Sequence, residues 1–181
     1  SFTKSQTRIV FYEASRCCPY RCAYCLSGAC GPVRYLPMER VREDLELFHR
    51  EHIPLVKFTD RTANCNPARF REILKWIKSF RDCHTVFHFE VGVDLFDEED
   101  LRLLASMPPG RIQLEAGVQS TEPRALESCA RRMDTDKILH NLGKILSFQN
   151  INVHGDLIAG LPYEGYTRFG ESFNTLYALR L

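Results

Sequence analysis

The chain has 181 residues, with 24 Lys and Arg against 23 Asp and Glu, a formal net charge of +1, and 44% hydrophobic and 26% charged residues. That is enough for one domain with its own core, and the balanced charge, without a basic run, excludes an electrostatic footprint for nucleic acid or an anionic membrane surface. No apolar run is long enough to span a bilayer, and Ser1-Phe2-Thr3-Lys4 does not open a signal peptide.

In chain order, the first strand is expected over residues 7–14, followed by a cysteine-rich run. A helix is expected over 38–52, with Val41, Leu45 and Phe48 at helical spacing, then a strand over 55–60. Asn66 is a good cap and Pro67 suits a first turn, so a helix over 67–80 follows, carrying Phe70, Ile73, Leu74 and Ile77, with Trp76 also assigned to the core. A strand over 85–93 leads to a helix over 97–106 that opens with acids and ends before Pro108-Pro109-Gly110. A strand over 111–119, a short helix over 123–128, a helix over 134–148, a strand over 152–159 and a last helix from near Thr167 complete the pattern.

Strands alternating with helices of this length predict an α/β fold with crossover connections and a parallel sheet. Parallel strands covered on both faces should be almost continuously apolar, and three of these are not. His88 and Glu90 alternate with Phe87, Phe89 and Val91; Gln113 and Glu115 with Ile112 and Leu114; His154 and Asp156 with Val153 and Leu157. One side of the sheet is therefore polar, which predicts a curved parallel sheet with helices outside and a polar lumen, a partial (βα) barrel. In such architectures functional residues gather at the carboxyl ends of the strands. The cysteine run follows the first strand at that end.

That run is Arg16-Cys17-Cys18-Pro19-Tyr20-Arg21-Cys22-Ala23-Tyr24-Cys25-Leu26, in which Cys18, Cys22 and Cys25 form C-x3-C-x2-C. Thiolates are soft ligands for iron–sulfur clusters and zinc. A cubane cluster ordinarily takes four thiolates, one per iron, so three would leave one iron open for chemistry. Other readings stand beside this one. A zinc site or an electron-transfer cluster would recruit a fourth ligand from Cys17, Cys30 or Cys65, and a disulfide framework would use the same residues differently. Cys83 and Cys129, single among apolar stretches, suit buried reduced thiols. Eight cysteines without a secretory segment read as metal-binding or reduced thiols in a cytoplasm.

The run resembles the signature of the radical S-adenosylmethionine (SAM) superfamily, including the aromatic Tyr24 just before the third cysteine. Three further segments resemble the same family in the same order. Glu115-Ala116-Gly117-Val118-Gln119-Ser120 looks like its fourth-strand E-x-G-x-Q-S. Arg131, before Met133-Asp134, matches a basic residue that meets the SAM carboxylate. Asp156-Leu157-Ile158-Ala159-Gly160-Leu161-Pro162 looks like the fifth-strand motif whose isoleucine, here Ile158, backs onto the adenine. The chain departs from the family after the second strand, where Phe58-Thr59-Asp60-Arg61-Thr62 replaces the usual Gly-Gly-Glu. That form, with Cys25-Leu26-Ser27 and Leu161-Pro162-Tyr163-Glu164, looks most like the branch that carries a cobalamin-binding domain before the radical SAM core. Its members are often labelled magnesium-protoporphyrin IX monomethyl ester oxidative cyclases. Many relatives have glycine where Cys17 stands. The family's core is commonly six βα units, of which about five are visible. The chain, starting at Ser1 and stopping at Leu181 in a helical pattern, is expected to be a fragment. Cobalamin-binding and C-terminal domains would lie outside it.

The resemblance implies a 4Fe-4S cluster on Cys18, Cys22 and Cys25, with SAM on the open iron. Reductive cleavage of SAM would give a 5′-deoxyadenosyl radical for oxidoreductive or methyl-transfer chemistry on a small molecule. Cobalamin would come from a domain outside this chain, and the electron from a donor such as flavodoxin or ferredoxin. Tyr24 would frame the adenine or pack the loop, and Asp60 would accept from the SAM ammonium or cap a strand end. Glu90 and Glu115 would bind ribose hydroxyls or the SAM amine, or else pair with Arg111 or Arg131. Ser120 is as readily a cap as a cofactor contact, and Asp156 would bind ribose or substrate. His88 and His154 read as core histidines, and Arg40, Arg42, Glu43 and Glu46 as a solvated helix face. Two alternatives remain: a methylthiotransferase-type radical SAM enzyme, and a non-enzymatic iron–sulfur or zinc module.

Overall fold

The computed structural model of the chain describes residues 9–181. Its elements are β1 (Ile9–Tyr12), β2 (Ser15–Arg16), β3 (Arg34–Tyr35), α1 (Met38–Arg50), β4 (Leu55–Phe58), α2 (Pro67–Ser79), β5 (Val86–Val91), α3 (Glu98–Ala105), β6 (Ile112–Gln119), α4 (Pro123–Ser128), α5 (Thr135–Ser147), β7 (Asn152–Leu157) and α6 (Tyr166–Ala178). Short 3-10 turns lie at Leu26–Ala29 and Val93–Leu95. Five strands form one parallel sheet in the order β1-β4-β5-β6-β7, each followed by a helix. This is the expected α/β arrangement of five βα units. Thr7 and Arg8, placed in the first strand by the sequence, lie outside the described residues. The two-residue hairpin of β2 and β3 was not expected, being too short for any side-chain period to register.

Local chemistry sets the element ends. Asn66 accepts from the Arg69 backbone N–H at 3.2 Å, with Pro67 at the first helical position of α2. Asp97 and Asp100 form a reciprocal capping box at the start of α3, and Asp134 caps α5 through Lys137 N–H at 3.0 Å. The expected strand and helix bounds run one or two residues longer than the observed ones at most ends because propensity does not register where the ladder or the cap stops.

The core lies between one face of the sheet and the helices. It takes Val56 and Phe58 from β4, Phe87, Phe89 and Val91 from β5, and Ile112, Leu114, Ala116 and Val118 from β6. These meet Leu45 and Phe48 of α1, Phe70, Ile73, Leu74 and Ile77 of α2, Leu101 and Leu104 of α3, and Ile138, Leu142 and Ile145 of α5. Trp76 is only partly buried, against the rim of this core. Buried amides tie irregular backbone: Asn64 donates to Gly92 C=O at 2.7 Å and accepts from Gly92 N–H at 2.9 Å. Asn150 donates to the carbonyls of Leu104 and Met107 at 3.0 and 2.8 Å. Alternate residues on the strands face the other way, and the register lines up Lys57 with His88 and Gln113, then Glu90 with Glu115 and His154. Among the described residues no helix is long and apolar enough to cross a membrane.

Phe89 is fully buried, with its ring 4.3 Å from that of Phe58 and edge-on to Phe70 at 5.3 Å. Phe89→Ala is expected to cost about 3–5 kcal/mol, read as a lower urea midpoint at unchanged slope.

Candidate functional site

All five strands run the same way, so their carboxyl ends share one rim. The segment after β1 reaches across that rim. Asp60, 4% exposed, anchors its start by accepting from Ala14 N–H at 2.9 Å and from the Ser15 hydroxyl at 2.5 Å. The β2–β3 hairpin follows, then Cys17, joined to Cys30 by a disulfide. The other six cysteines are not disulfide-bonded, and Cys83 and Cys129 among them are buried, as expected, whereas the Cys17–Cys30 pair departs from the expectation of metal-binding or reduced thiols. Cys17 has φ +78°, the left-handed region that favours glycine, which accounts for the glycine that resembling sequences carry there.

Between Cys17 and Cys30 the three motif cysteines turn inward around a cavity of about 170 Å³. Cys18 Sγ is 3.5 Å from Thr62 Oγ1. Cys22 is buried and accepts from the Arg131 guanidinium at 3.6 Å. Cys25 is exposed and precedes the 3-10 turn, with its N–H bonded to Cys22 C=O at 3.0 Å. Ala23 N–H donates to Cys129 C=O at 2.8 Å and so ties the loop to the end of α4.

The strand ends supply the opposite wall. Arg61 and Thr62 come from beyond β4, Glu90 and Gly92 from the end of β5, Glu115, Gly117 and Gln119 from β6, and Asp156 from β7. Arg131 bridges wall and loop, donating to Gly117 C=O at 2.8 Å and lying 5.4 Å from the Tyr20 ring centroid. Glu115 Oε2 is held by Lys57 Nζ and His88 Nε2, each at 3.2 Å. Glu90 lies 4.0 Å from Arg61. The expected pairing of these acids with Arg111 or Arg131 does not occur, since Arg111 donates to the carbonyls of Ile77 and Phe80.

Burial, then the charge of Glu115, raises the Glu90 carboxyl above its ordinary value, and the same two causes raise Asp156 at the more open rim. Burial, then Lys57, pushes His88 down, so its ring is biased toward neutral. Burial raises the Tyr24 phenol and pushes Tyr20 up to about 12.

The donor set fits a cubane cluster. Its ligands are thiols alone, and each is required to hold a different iron, which suits three sulfurs set around a cavity. Among the described residues no three His, Cys, Asp or Glu side chains gather as closely as a single ion needs. A Cβ at Gly117 would displace the end of the flexible Gln119 side chain and touch the Arg131 guanidinium.

Of the residues singled out from sequence, Cys18, Cys22, Cys25, Tyr24, Glu90, Glu115, Arg131 and Asp156 line the cavity. Three do not. Asp60 spends both oxygens on Ala14 and Ser15. Ser120, 1% exposed, donates to Glu164 Oε1 and accepts from Glu122 N–H at 2.9 Å, which makes it a cap. Ile158 packs on Ala125, Cys129 and Leu161 in a small separate cluster. The cavity also uses Tyr20, Ser27, Arg61, Thr62, Gly92 and Gln119, which the sequence reading had not assigned. Gln119 was legible within its motif. The others line the site through loop placement, which has no period.

A raised carboxyl stabilises the fold only when protonated. Above the folded pKa of Glu90 its ionised form costs stability, and the cost disappears below the unfolded pKa. Glu90→Gln is thus expected to raise the urea midpoint at about pH 7 and to change it little near about pH 4. An equal change at both values would show that ionisation is not the cause.

The description of the radical SAM superfamily matches residues 12–176. The oxygen-independent coproporphyrinogen-III oxidase-like protein HemZ of Bacillus subtilis (strain 168) is 27% identical over 176 aligned residues, covering 87% of this chain and 34% of HemZ. Among solved structures, the radical SAM methyltransferase TsrM from Kitasatospora setae superposes with TM-score 0.80 at 17% identity, over 94% of this chain and 34% of TsrM. The cobalamin-dependent SAM radical enzyme OxsB superposes with TM-score 0.69 at 17% identity, over 92% of this chain and 26% of OxsB. The chain thus spans about a third or less of the length of these proteins, and the structural likeness extends to the fold.

Proposed function

The chain belongs to the radical SAM superfamily, whose members use a 4Fe-4S cluster and SAM, and from that premise we propose that Cys18, Cys22 and Cys25 hold such a cluster and that SAM occupies the adjoining lumen. The observation that carries this reading is that the three motif thiols line one cavity with acids from three neighbouring strand ends, Glu90, Glu115 and Asp156. Cys18, Cys22 and Cys25 would hold the cluster, which when bound would supply the one-electron reductive cleavage of SAM that starts radical chemistry on substrate.

The protein's own groups bind, orient and shield. Arg131 donates to Cys22 Sγ at 3.6 Å, and its anchorage to Gly117 C=O fixes the cation within reach of a carboxylate ligand. Glu115, held by Lys57 and His88, offers a positioned acceptor for an ammonium or a hydroxyl. Glu90 and Asp156, biased toward protonation, suit hydroxyl partners such as those of a ribose. Tyr24 flanks the third cysteine at the cavity and gives an aromatic face for a base.

This reading takes the electron from a flavodoxin- or ferredoxin-type donor in a cytoplasm and ends in oxidoreductive or methyl-transfer chemistry on a small molecule. The sequence resemblance to the cobalamin-binding branch adds a corrin held outside these residues. A zinc staple or an electron-transfer module has no use for an acid-lined lumen beside its thiols.

Anaerobic reconstitution with iron and sulfide should give a dithionite-reduced 4Fe-4S signal in electron paramagnetic resonance that changes shape when SAM is added. A signal indifferent to SAM, or zinc in place of iron, would overturn the reading. Cys18→Ala, Cys22→Ala and Cys25→Ala should each abolish the SAM-sensitive signal, whereas Cys83→Ala, at a buried thiol away from the cavity, should retain it.

A further inference from the structure

Five of the eight cysteines lie between positions 17 and 30. Three of them line the cavity. The other two, Cys17 and Cys30, stand at the ends of the loop with Cα atoms 5.3 Å apart and are bonded to each other. The closure lies immediately beyond the β2–β3 ladder, whose last pair is Arg16 with Arg34, so the cluster loop is a closed excursion from a hairpin.

Cys17 occupies its position against a local cost. At φ +78° a side-chain-bearing residue is strained where glycine would not be. Its sulfur is the feature that glycine lacks, and that sulfur is committed to Cys30.

Cys30 sits close to the thiol cavity. The surface groove over the disulfide is lined by Cys30, Leu26, Ser27 and Arg61, and Ser27 and Arg61 also line the cavity. A free thiol at Cys30 would therefore lie in a groove that shares Ser27 and Arg61 with the thiol cavity. A cubane takes a fourth thiolate readily, and a fourth thiolate would occupy the iron that SAM needs.

We propose that the Cys17–Cys30 disulfide is a thiol-sequestering clamp, which withdraws two surplus sulfurs from the loop so that a bound cluster meets three protein thiolates and keeps one iron open. This rests on the three-thiolate reading of the site. The clamp responds to thiol redox state. Opening it takes two electrons and two protons. One thiolate of a dithiol reductant attacks the exposed Cys30 sulfur and releases the Cys17 thiolate. The second thiol of the reductant then resolves the mixed disulfide, Cys30 is released, and the reductant leaves as its own disulfide.

Two measurements test the clamp. In protein isolated without reductant, maleimide labelling in guanidinium chloride, where burial protects no thiol, followed by peptide mapping should find Cys17 and Cys30 protected until dithiothreitol is added, and Cys18, Cys22 and Cys25 labelled throughout. Labelling of Cys17 and Cys30 from the start would overturn the proposal. The second compares Cys17→Gly, which suits the left-handed backbone and frees Cys30, with the double variant Cys17→Gly/Cys30→Ala, after reconstitution. The single variant should lose most of the SAM-induced change in the reduced-cluster resonance, and the double variant should keep it. If both keep it, the clamp is refuted and the three-thiolate site stands. If neither responds to SAM, the open iron itself is refuted, and the clamp with it.

Discussion

Parallel pairing is the constraint on which the rest of this molecule depends. Because β1, β4, β5, β6 and β7 all point the same way, every strand delivers its last residues to one rim, and the returning helices are confined to the other face. The core rows of Phe58, Phe87, Phe89 and Leu114 then fix the opposite rows, Lys57, His88, Glu90 and Glu115, on the lumen side, since the side-chain period of a strand leaves no other choice. Burying the apolar face and building the polar site are consequences of one alternation.

The loop over this rim buries few of its apolar side chains, Cys17 and Cys22 among them, and is held by discrete ties. Asp60 fastens its start, the hairpin and disulfide close its base, Ala23 bonds to Cys129, and Arg131 reaches from beyond α4 to both Cys22 and the β6 backbone. The hairpin and disulfide close the loop on itself, and the other ties join it to the segments after β4 and α4 and to β6.

The acids of the lumen show how environment separates like groups. Glu115 is pinned by Lys57 and His88, whereas Glu90 and Asp156 feel its charge along with burial and are driven toward protonation. Three carboxyls at one rim thus offer different hydrogen-bonding characters to whatever occupies the space between them.

Most of the fold was legible in the residues. Strand–helix alternation identified five βα units, the cap at Asn66 and the acids from Asp97 located helix starts, and the polar positions of β5, β6 and β7 foretold a lumen. The cysteine spacing and the inward acids placed six of the assigned residues at the cavity, and the family resemblance placed two more, Tyr24 and Arg131, because motif and period are properties of the chain itself. What sequence left undecided was the partner of each side chain. Asp60, Ser120 and Ile158 sit at strand ends like true lining residues, yet each is claimed by a neighbour: Asp60 by Ala14 and Ser15, Ser120 by Glu164, Ile158 by the Ala125 cluster. The Cys17–Cys30 bond and the reach of Arg131 to Cys22 were decided in the same way. Such contacts join residues distant along the chain, and they depend on how the loop closes over the rim, which only the packed tertiary structure determines.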